Sequence, residues 1–329
     1  MALSKEAIVE QSWNAYNQWC KQWRDHCKQH SKYKQKSLNE FANSGVGKAL
    51  VLVATGYSLE KNIEELKKHK DDVDILCCDK SLGILLDNGI VPTYCLVCDA
   101  NVDHDKYLKP WEDQLEETIL FMNVCGNPAW TKELWKDTYF FANEDAIKSE
   151  KEFMKLSGCV NLIPAGTNVS NVMIIFATQS SNVGRQNFFG YDKILLLGYD
   201  YCWTDSGNYY AFDHDADGKR FYMKHVYAVD VAGNYVYTSN NLLFSAQWCQ
   251  QYCQNFNLPI VNCSDNSMLG QLPHKTLASQ LPYAYKREDK ERVVKLSTKL
   301  SQYHKELNTM KRELEKIGKE HWTNFQESI

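Results

Sequence analysis

Three observations predict an α/β fold with a mainly parallel sheet and helices on both faces. Short apolar runs recur along residues 48–284 and alternate with stretches of helical spacing. The runs are rich in Val, Ile, Leu and Cys on both faces, as a strand covered on two sides must be. Several of them end on Asp or Asn, as strands do where a parallel sheet presents its ligand-binding edge.

The elements follow in order. Residues up to about 44 carry Val9, Trp13, Tyr16, Cys20, Trp23 and Cys27 at steps of three and four, one face of a helix, and Asn43–Gly47 breaks it. Ala49–Thr55 reads as a buried strand, Leu59–His69 as a helix, and Val73–Cys78 as a second strand. Leu82–Asn88 is a short helix stopped by Gly89. Strands are then expected at Thr93–Cys98, Thr118–Met122, Thr138–Ala142, Val160–Pro164 and Lys193–Gly198, with a buried helix at Asn168–Gln179. Tyr201–Tyr237 is rich in Tyr, Asp, Gly and His without clean periodicity, and is expected to be a long functional loop or lid. Asn240–Asn255 reads as a helix and Pro259–Asn262 as a short strand. Beyond about Tyr285, the residues Val293, Leu296, Leu300, Tyr303, Leu307, Met310, Leu314 and Ile317 form a heptad seam. The expected organisation is a helical arm at 1–47, an α/β domain at 48–284 and a long coiled-coil helix at 285–329. The seam would pair with the N-terminal helix or, by self-association, with another subunit.

Composition excludes several classes. The 37 Lys and Arg against 41 Asp and Glu leave a net charge of -4, which does not suit a nucleic-acid-wrapping surface. No apolar run reaches the ~20 residues of a membrane span, and the N-terminus has no signal pattern. The 12 Cys lie mostly inside apolar runs, which points to buried thiols in a reducing compartment and a cytoplasmic location. Cys95 and Cys98 make a single C-x-x-C pair inside a strand, without the second pair that a zinc site needs.

Candidate site residues cluster at the turns that follow strands. Thr55-Gly56-Tyr57-Ser58 allows close backbone approach, and Ser58 at the start of a helix could hold an anion on free amides. It lacks the Gly-Lys-Ser/Thr ending of a Walker loop, and a purely structural turn would carry the same residues. Asp79, Asp99, Asn123, Asn143 and Asp200 follow successive strands, with Asn101 and Asp103 just beyond Asp99. Carboxylates and amides gathered on one edge suit ribose hydroxyls, base edges or a metal. Gly166-Thr167-Asn168 forms a second Gly-polar turn before a helix. Tyr199 and Tyr201 could donate to a leaving phosphate, with His225 or His214 as base. Asp213, Asp215, Asp217 and Gly218 partly match a calcium loop but lack its terminal Glu.

The order Gly56-Tyr-Ser-Leu59, then Cys78–Asp99, then Ala165–Val169, then Leu196–Asp205 resembles the MptE-like superfamily, which includes the flagellin-modifying motility-associated factor (Maf) proteins. Tyr57 replaces the family's Pro, and Val261–Met268 lacks its Glu-Gly-Gly. The resemblance implies a Rossmann-like core related to bacterial sialyltransferases. It implies a glycosyltransferase-like protein with a CMP-nonulosonic acid donor and a protein or glycan acceptor. Gly56, Ser58, Gly166, Thr167 and Asn168 would hold the nucleotide, and Asp79, Asp99 and Asn123 the ribose, base or sugar. The alternative it implies is a 6-hydroxymethylpterin diphosphokinase using ATP and magnesium, with Asp79, Asp99 and Asp200 as ligands. A third reading, a scaffold that kept the fold without the chemistry, rests on the two departures. On the first reading Ser58→Ala is expected to weaken nucleotide binding and leave the fold intact.

Overall fold

The computed structural model describes residues 20–131, 134–144, 149–164, 166–180, 185–186, 188–204, 207, 210–213 and 226–282, with single positions between 299 and 316. The chain divides into two compact units, Met1–Tyr283 and Ala284–Ile329. In the first, residues 20–30 are helical (α1). Then come β1 (Ala49–Val53), α2 (Ser58–Lys68), β2 (Asp74–Cys78), α3 (Asp79–Asp87), β3 (Tyr94–Val97), α4 (His104–Tyr107), β4 (Ile119–Asn123), β5 (Asp137–Glu144), α5 (Ser149–Ser157), β6 (Leu162–Pro164) and α6 (Val169–Thr178). A small hairpin, β7 (Gln179–Ser180) and β8 (Arg185–Gln186), precedes β9 (Lys193–Leu197). The unit ends with β10 (Val226–Val229), β11 (Tyr235–Thr238), α7 (Asn240–Asn255), β12 (Ile260–Asn262) and α8 (Leu277–Gln280).

Eight strands form one sheet in the order β12-β9-β1-β2-β3-β4-β5-β6. Each neighbouring pair runs parallel. The fold is therefore α/β and Rossmann-like. Alternating residues divide between two cores. Val51, Val53, Cys77, Cys95, Met122 and Leu197 pack with α1, α2, α3 and α5. Leu50, Leu52, Leu76, Leu96, Phe121 and Leu196 pack with α6 and α7. This two-sided cover explains why the strands read as continuous apolar runs.

The second face is aromatic at its centre. Phe121 lies 4.4 Å from Phe176 and 5.3 Å from both Phe41 and Tyr94, between ring centroids. The N-terminal arm belongs to the same compact unit. Cys27 and His30 of α1 are fully buried, and His26 and His30 donate through Nδ1 to the carbonyls of Cys125 and Val124, both at 2.9 Å.

The expected irregular lid is corrected in part. Within Tyr201–Tyr237, β10 and β11 form an antiparallel hairpin in which Tyr227 faces Tyr237. Asp230 builds its turn, accepting from the Ala232 and Asn234 amides at 2.9 and 2.8 Å. The strands are short and Tyr-rich, so their alternation is weak in the sequence.

In the second unit the described positions, among them Tyr303 and Met310 of the seam, are helical and exposed. Val293, Leu296, Leu300, Leu307, Leu314 and Ile317 lie outside the described residues. Among the described residues no helix is long and apolar enough to cross a membrane.

Phe121 is fully buried at the hub of the aromatic core. Phe121→Ala should therefore cost ~3–5 kcal/mol in urea unfolding; a loss under about 1 kcal/mol would contradict this packing.

Candidate functional site

The sheet reverses its winding between β1 and β9, so the crevice of an open α/β sheet is expected at their carboxyl ends. Here the two turns touch. The Gly56 amide donates to the Gly198 carbonyl at 2.9 Å. A Cβ on Gly56 would stand 2.6 Å from that same oxygen. Gly198 takes φ +72°, and a Cβ there would stand 2.5 Å from the Ala54 carbonyl oxygen, so both positions require glycine.

Asp200 follows directly and caps α2. Its Oδ2 accepts the Ser58 amide at 2.7 Å, and its Oδ1 accepts the Ser58 hydroxyl in a short bond. The Leu59 and Glu60 amides are taken by the Gly56 and Tyr57 carbonyls at 3.0 and 3.1 Å. The anion place at this helix start is thus filled by the protein's own carboxylate. The expectation that Ser58 receives a phosphate is corrected: it is fully buried, and both its donors serve Asp200.

The open space lies one strand over. A cleft of about 360 Å³ is lined by residues following β1, β2 and β3, by the start of α6, by Tyr210 and by Leu242 of α7. Thr55, Asp79, Lys80, Asp99, Asn168, Ser170 and Tyr210 supply its polar residues, with Cys78, Cys98 and Val169 also in the lining. Asp79 is the first residue of α3, and its Oδ1 accepts the Lys80 amide at 2.7 Å. Asp99 accepts the Asn101 amide at 2.8 Å, which fixes the turn after β3. Asn168 caps α6 by accepting the Asn171 amide at 2.9 Å. A recess of about 40 Å³ adjoins the cleft and is lined by Gly56, Tyr199, Asp200 and Tyr201.

The remaining sequence-derived candidates are accounted for as follows. Tyr199 donates its hydroxyl to the Ser170 carbonyl at 3.0 Å, and Tyr201 to Asn171 Oδ1 at 2.7 Å. Both are buried and tie the β9 turn to α6; this corrects the expectation that they serve a leaving phosphate. Asn101 is exposed and accepts from Gln22 of α1 at 2.9 Å. Asn123 is bound to Asn143 and accepts the Cys125 amide at 2.8 Å. Gly166 lets the chain pass close to α6, where a Cβ would meet the Val172 nitrogen at 2.8 Å. Thr167 is exposed and accepts from Asn171 at 2.6 Å. His214, His225, Asp215 and Asp217 lie outside the described residues. Among the described residues no three His, Cys, Asp or Glu side chains gather as metal ligands. Asp200 therefore does not join Asp79 and Asp99 as a third ligand. Lys80 escaped the sequence reading, because a Lys after a strand carries no spacing signal, whereas Tyr210 lies in the Tyr-rich segment expected to be functional.

Burial raises two carboxyls. Asp200 is pushed from 3.8 to about 6 by desolvation, against the bonds from Ser58. Asp79 is pushed from 3.8 to about 6 by desolvation, helped by the charge of Asp99. Each native carboxyl then binds its proton more tightly than the unfolded one. The stability this gives is complete below about pH 4 and is lost as pH rises through about 6. Melting temperature should fall over that interval, and Asp200→Asn should flatten part of the slope; an unchanged slope would refute the Asp200 shift. Ser58→Ala leaves a buried carboxylate short of a donor, so it should cost ~1–3 kcal/mol of stability by urea unfolding while cleft binding persists.

Comparison with known proteins adds a family and a fold. A family model described as "6-hydroxymethylpterin diphosphokinase MptE-like" matches residues 24–206. No curated protein matches the chain. Among solved structures, the Maf glycosyltransferase of Magnetospirillum magneticum AMB-1 superposes with a TM-score of 0.58 at 16% identity, over 84% of this chain. This chain spans 42% of that one. The two share a fold at that distance. With more than half of its length matched by one family model, the chain belongs to the MptE-like family.

Proposed function

We propose that this protein is a nucleotide-dependent transferase whose donor is a nucleotide sugar of the CMP-nonulosonic acid kind. The observation that carries the reading is the cleft itself. It stands at the carboxyl edge of β1–β3 and sets two carboxylates, a lysine and the cap of α6 around one space. Asp99 suits a ribose or sugar hydroxyl, and Asn168 and Ser170 suit the polar edge of a base or sugar. In the transfer, an acceptor oxygen forms a bond to the anomeric carbon, the carbon–phosphate oxygen bond breaks, and the nucleotide leaves with the electron pair. The acceptor proton needs a base. Asp79, raised to about 6, is fitted to that step among the described residues. The fold shared with a Maf glycosyltransferase supports this reading.

A pyrophosphate transfer from ATP is the second reading, favoured by the matched family's description and by the Asp79–Asp99 pair. The pair fits magnesium: two hard carboxylates line one cleft, and the ion is usually held by one or two carboxylates plus substrate phosphates. When bound there, magnesium would offset phosphate charge.

The test is thermal stability against CMP, CDP, CTP, ATP, GDP and UDP, each with and without magnesium. A ligand at about 100 times its Kd adds ~2.7 kcal/mol. A metal-independent shift with CMP, reduced in Asp99→Asn, is expected. A magnesium-dependent shift with ATP would replace the proposal by the second reading. No shift with any nucleotide would refute both and favour a scaffold that kept the fold.

A further inference from the structure

The β10–β11 ribbon is held to the body from one side. The Val231 amide at its turn donates to the Ser267 carbonyl at 2.8 Å, and the Thr238 hydroxyl donates to the Tyr201 carbonyl at 2.7 Å. Along β11 the Trp203 amide donates to the Tyr237 carbonyl at 2.8 Å. Ala228 and Val236 pack into the second core. β10 is therefore the outer strand, and among the described residues no strand pairs with its other edge.

The register fixes what that edge presents. The Asp230 amide donates to the Asn234 carbonyl at 3.0 Å, and Ala228 stands opposite Val236. Bonded pairs alternate along an antiparallel ladder, so Val226 and Ala228 bond to β11. The N–H and C=O groups of Tyr227 and Val229 point the other way, to the open edge. The side chains of the same two residues are exposed. Tyr227 is 67% exposed and Val229 50%, and Tyr235, opposite Val229, is 76% exposed. Natural edges are blunted by Lys, Pro or a bulge, and β10 reads VYAV with no Lys and no Pro.

Edge and face together define the occupant. Backbone donors and acceptors at alternate residues are matched by another extended backbone, whose apolar side chains at alternate positions then meet the open face. With a tyrosine at roughly 200 Å², the three side chains leave on the order of 350 Å² open. A stable dimer needs about 800 Å² from each partner, so the face is too small for a second copy and matches a short strand. We propose that β10 is a docking edge for an extended polypeptide segment with apolar side chains at alternate positions, which adds to the ribbon as a third strand. The proposal stands apart from the transferase reading, because neither Tyr227 nor Val229 lines the cleft.

The test is fluorescence anisotropy on the full chain with a labelled synthetic peptide of about eight residues that alternates Val and Thr between Lys ends. A second peptide carries esters in place of two successive central amides, one on each edge of the strand. Wild type should bind the first and hold the second about fivefold more weakly, as loss of one backbone bond predicts. Val229→Pro removes an N–H that β11 does not use, at an edge position where proline is tolerated, and should weaken binding at least about fivefold. Val229→Thr keeps the backbone and should stay within about threefold of wild type. Tyr235→Thr removes a ring without touching β10 and should weaken binding severalfold. The ligand-free melting temperature of each variant checks its fold, and the ester peptide on wild type decides if Val229→Pro fails to fold. No peptide binding by wild type, or equal binding by wild type and Val229→Pro, overturns the proposal. Binding that tolerates the esters but is lost in Tyr235→Thr overturns the strand pairing and leaves a surface of rings. A wild-type dimer in sedimentation that Val229→Pro separates gives the edge to a second copy and overturns the peptide assignment. Val229→Pro should leave any nucleotide-dependent stabilisation unchanged, so this proposal and the transferase reading fail separately.

Discussion

The contact between the turn after β1 and the turn after β9 governs the rest of the molecule. Gly56 and Gly198 bring two backbones together, and Asp200 then reaches the open end of α2. A helix start that carries partial positive charge is satisfied from within. Were it left open, the natural ligand place of this sheet would be the crevice between β1 and β9. With the helix start capped, that crevice keeps only the small recess, and the larger cleft lies at β1–β3 and α6, where Asp79 and Asp99 follow their strands.

That displacement explains the chemistry of the cleft. The amides of Ser58, Leu59 and Glu60 at the start of α2 are taken within the protein, so the charges of the cleft come from side chains. Two carboxylates and a lysine bring both signs of charge to its lining. Burial of Asp79 strengthens its hold on a proton.

Much of the architecture was legible in the sequence. The parallel sheet followed from runs such as ALVLVAT and KILLLG, which are apolar on both faces because helices cover both. Asp79, Asp99 and Asn168 were placed at the carboxyl edge of the sheet by their position after strands or before a helix, and the three line one cleft. The partners of Ser58, Tyr199 and Tyr201 were not legible. Each bond joins residues far apart in the chain, and a Gly-x-Ser turn looks the same whether it waits for a phosphate or already holds a carboxylate. Lys80 was missed for the same reason, since only the fold brings it to Tyr107 and Tyr210. The β10–β11 hairpin was hidden by short strands whose exposed positions, Tyr227, Val229 and Tyr235, are as apolar as the inner ones.

The cap on α2 also has a temporal meaning. Ser58 and Asp200 are separated by 142 positions, and Gly56 pairs with a Tyr210 that lies later still. During synthesis β1 to β6 emerge before β9, so for that interval Ser58 at the start of α2 lacks its Asp200 partner and the sheet ends at β1. Contacts of such long sequence separation form late, after loop-closure entropy has been overcome. The cleft wall supplied by Tyr210 is thus completed only after β9 docks, and a chain stalled before β9 would hold most of a sheet without a site.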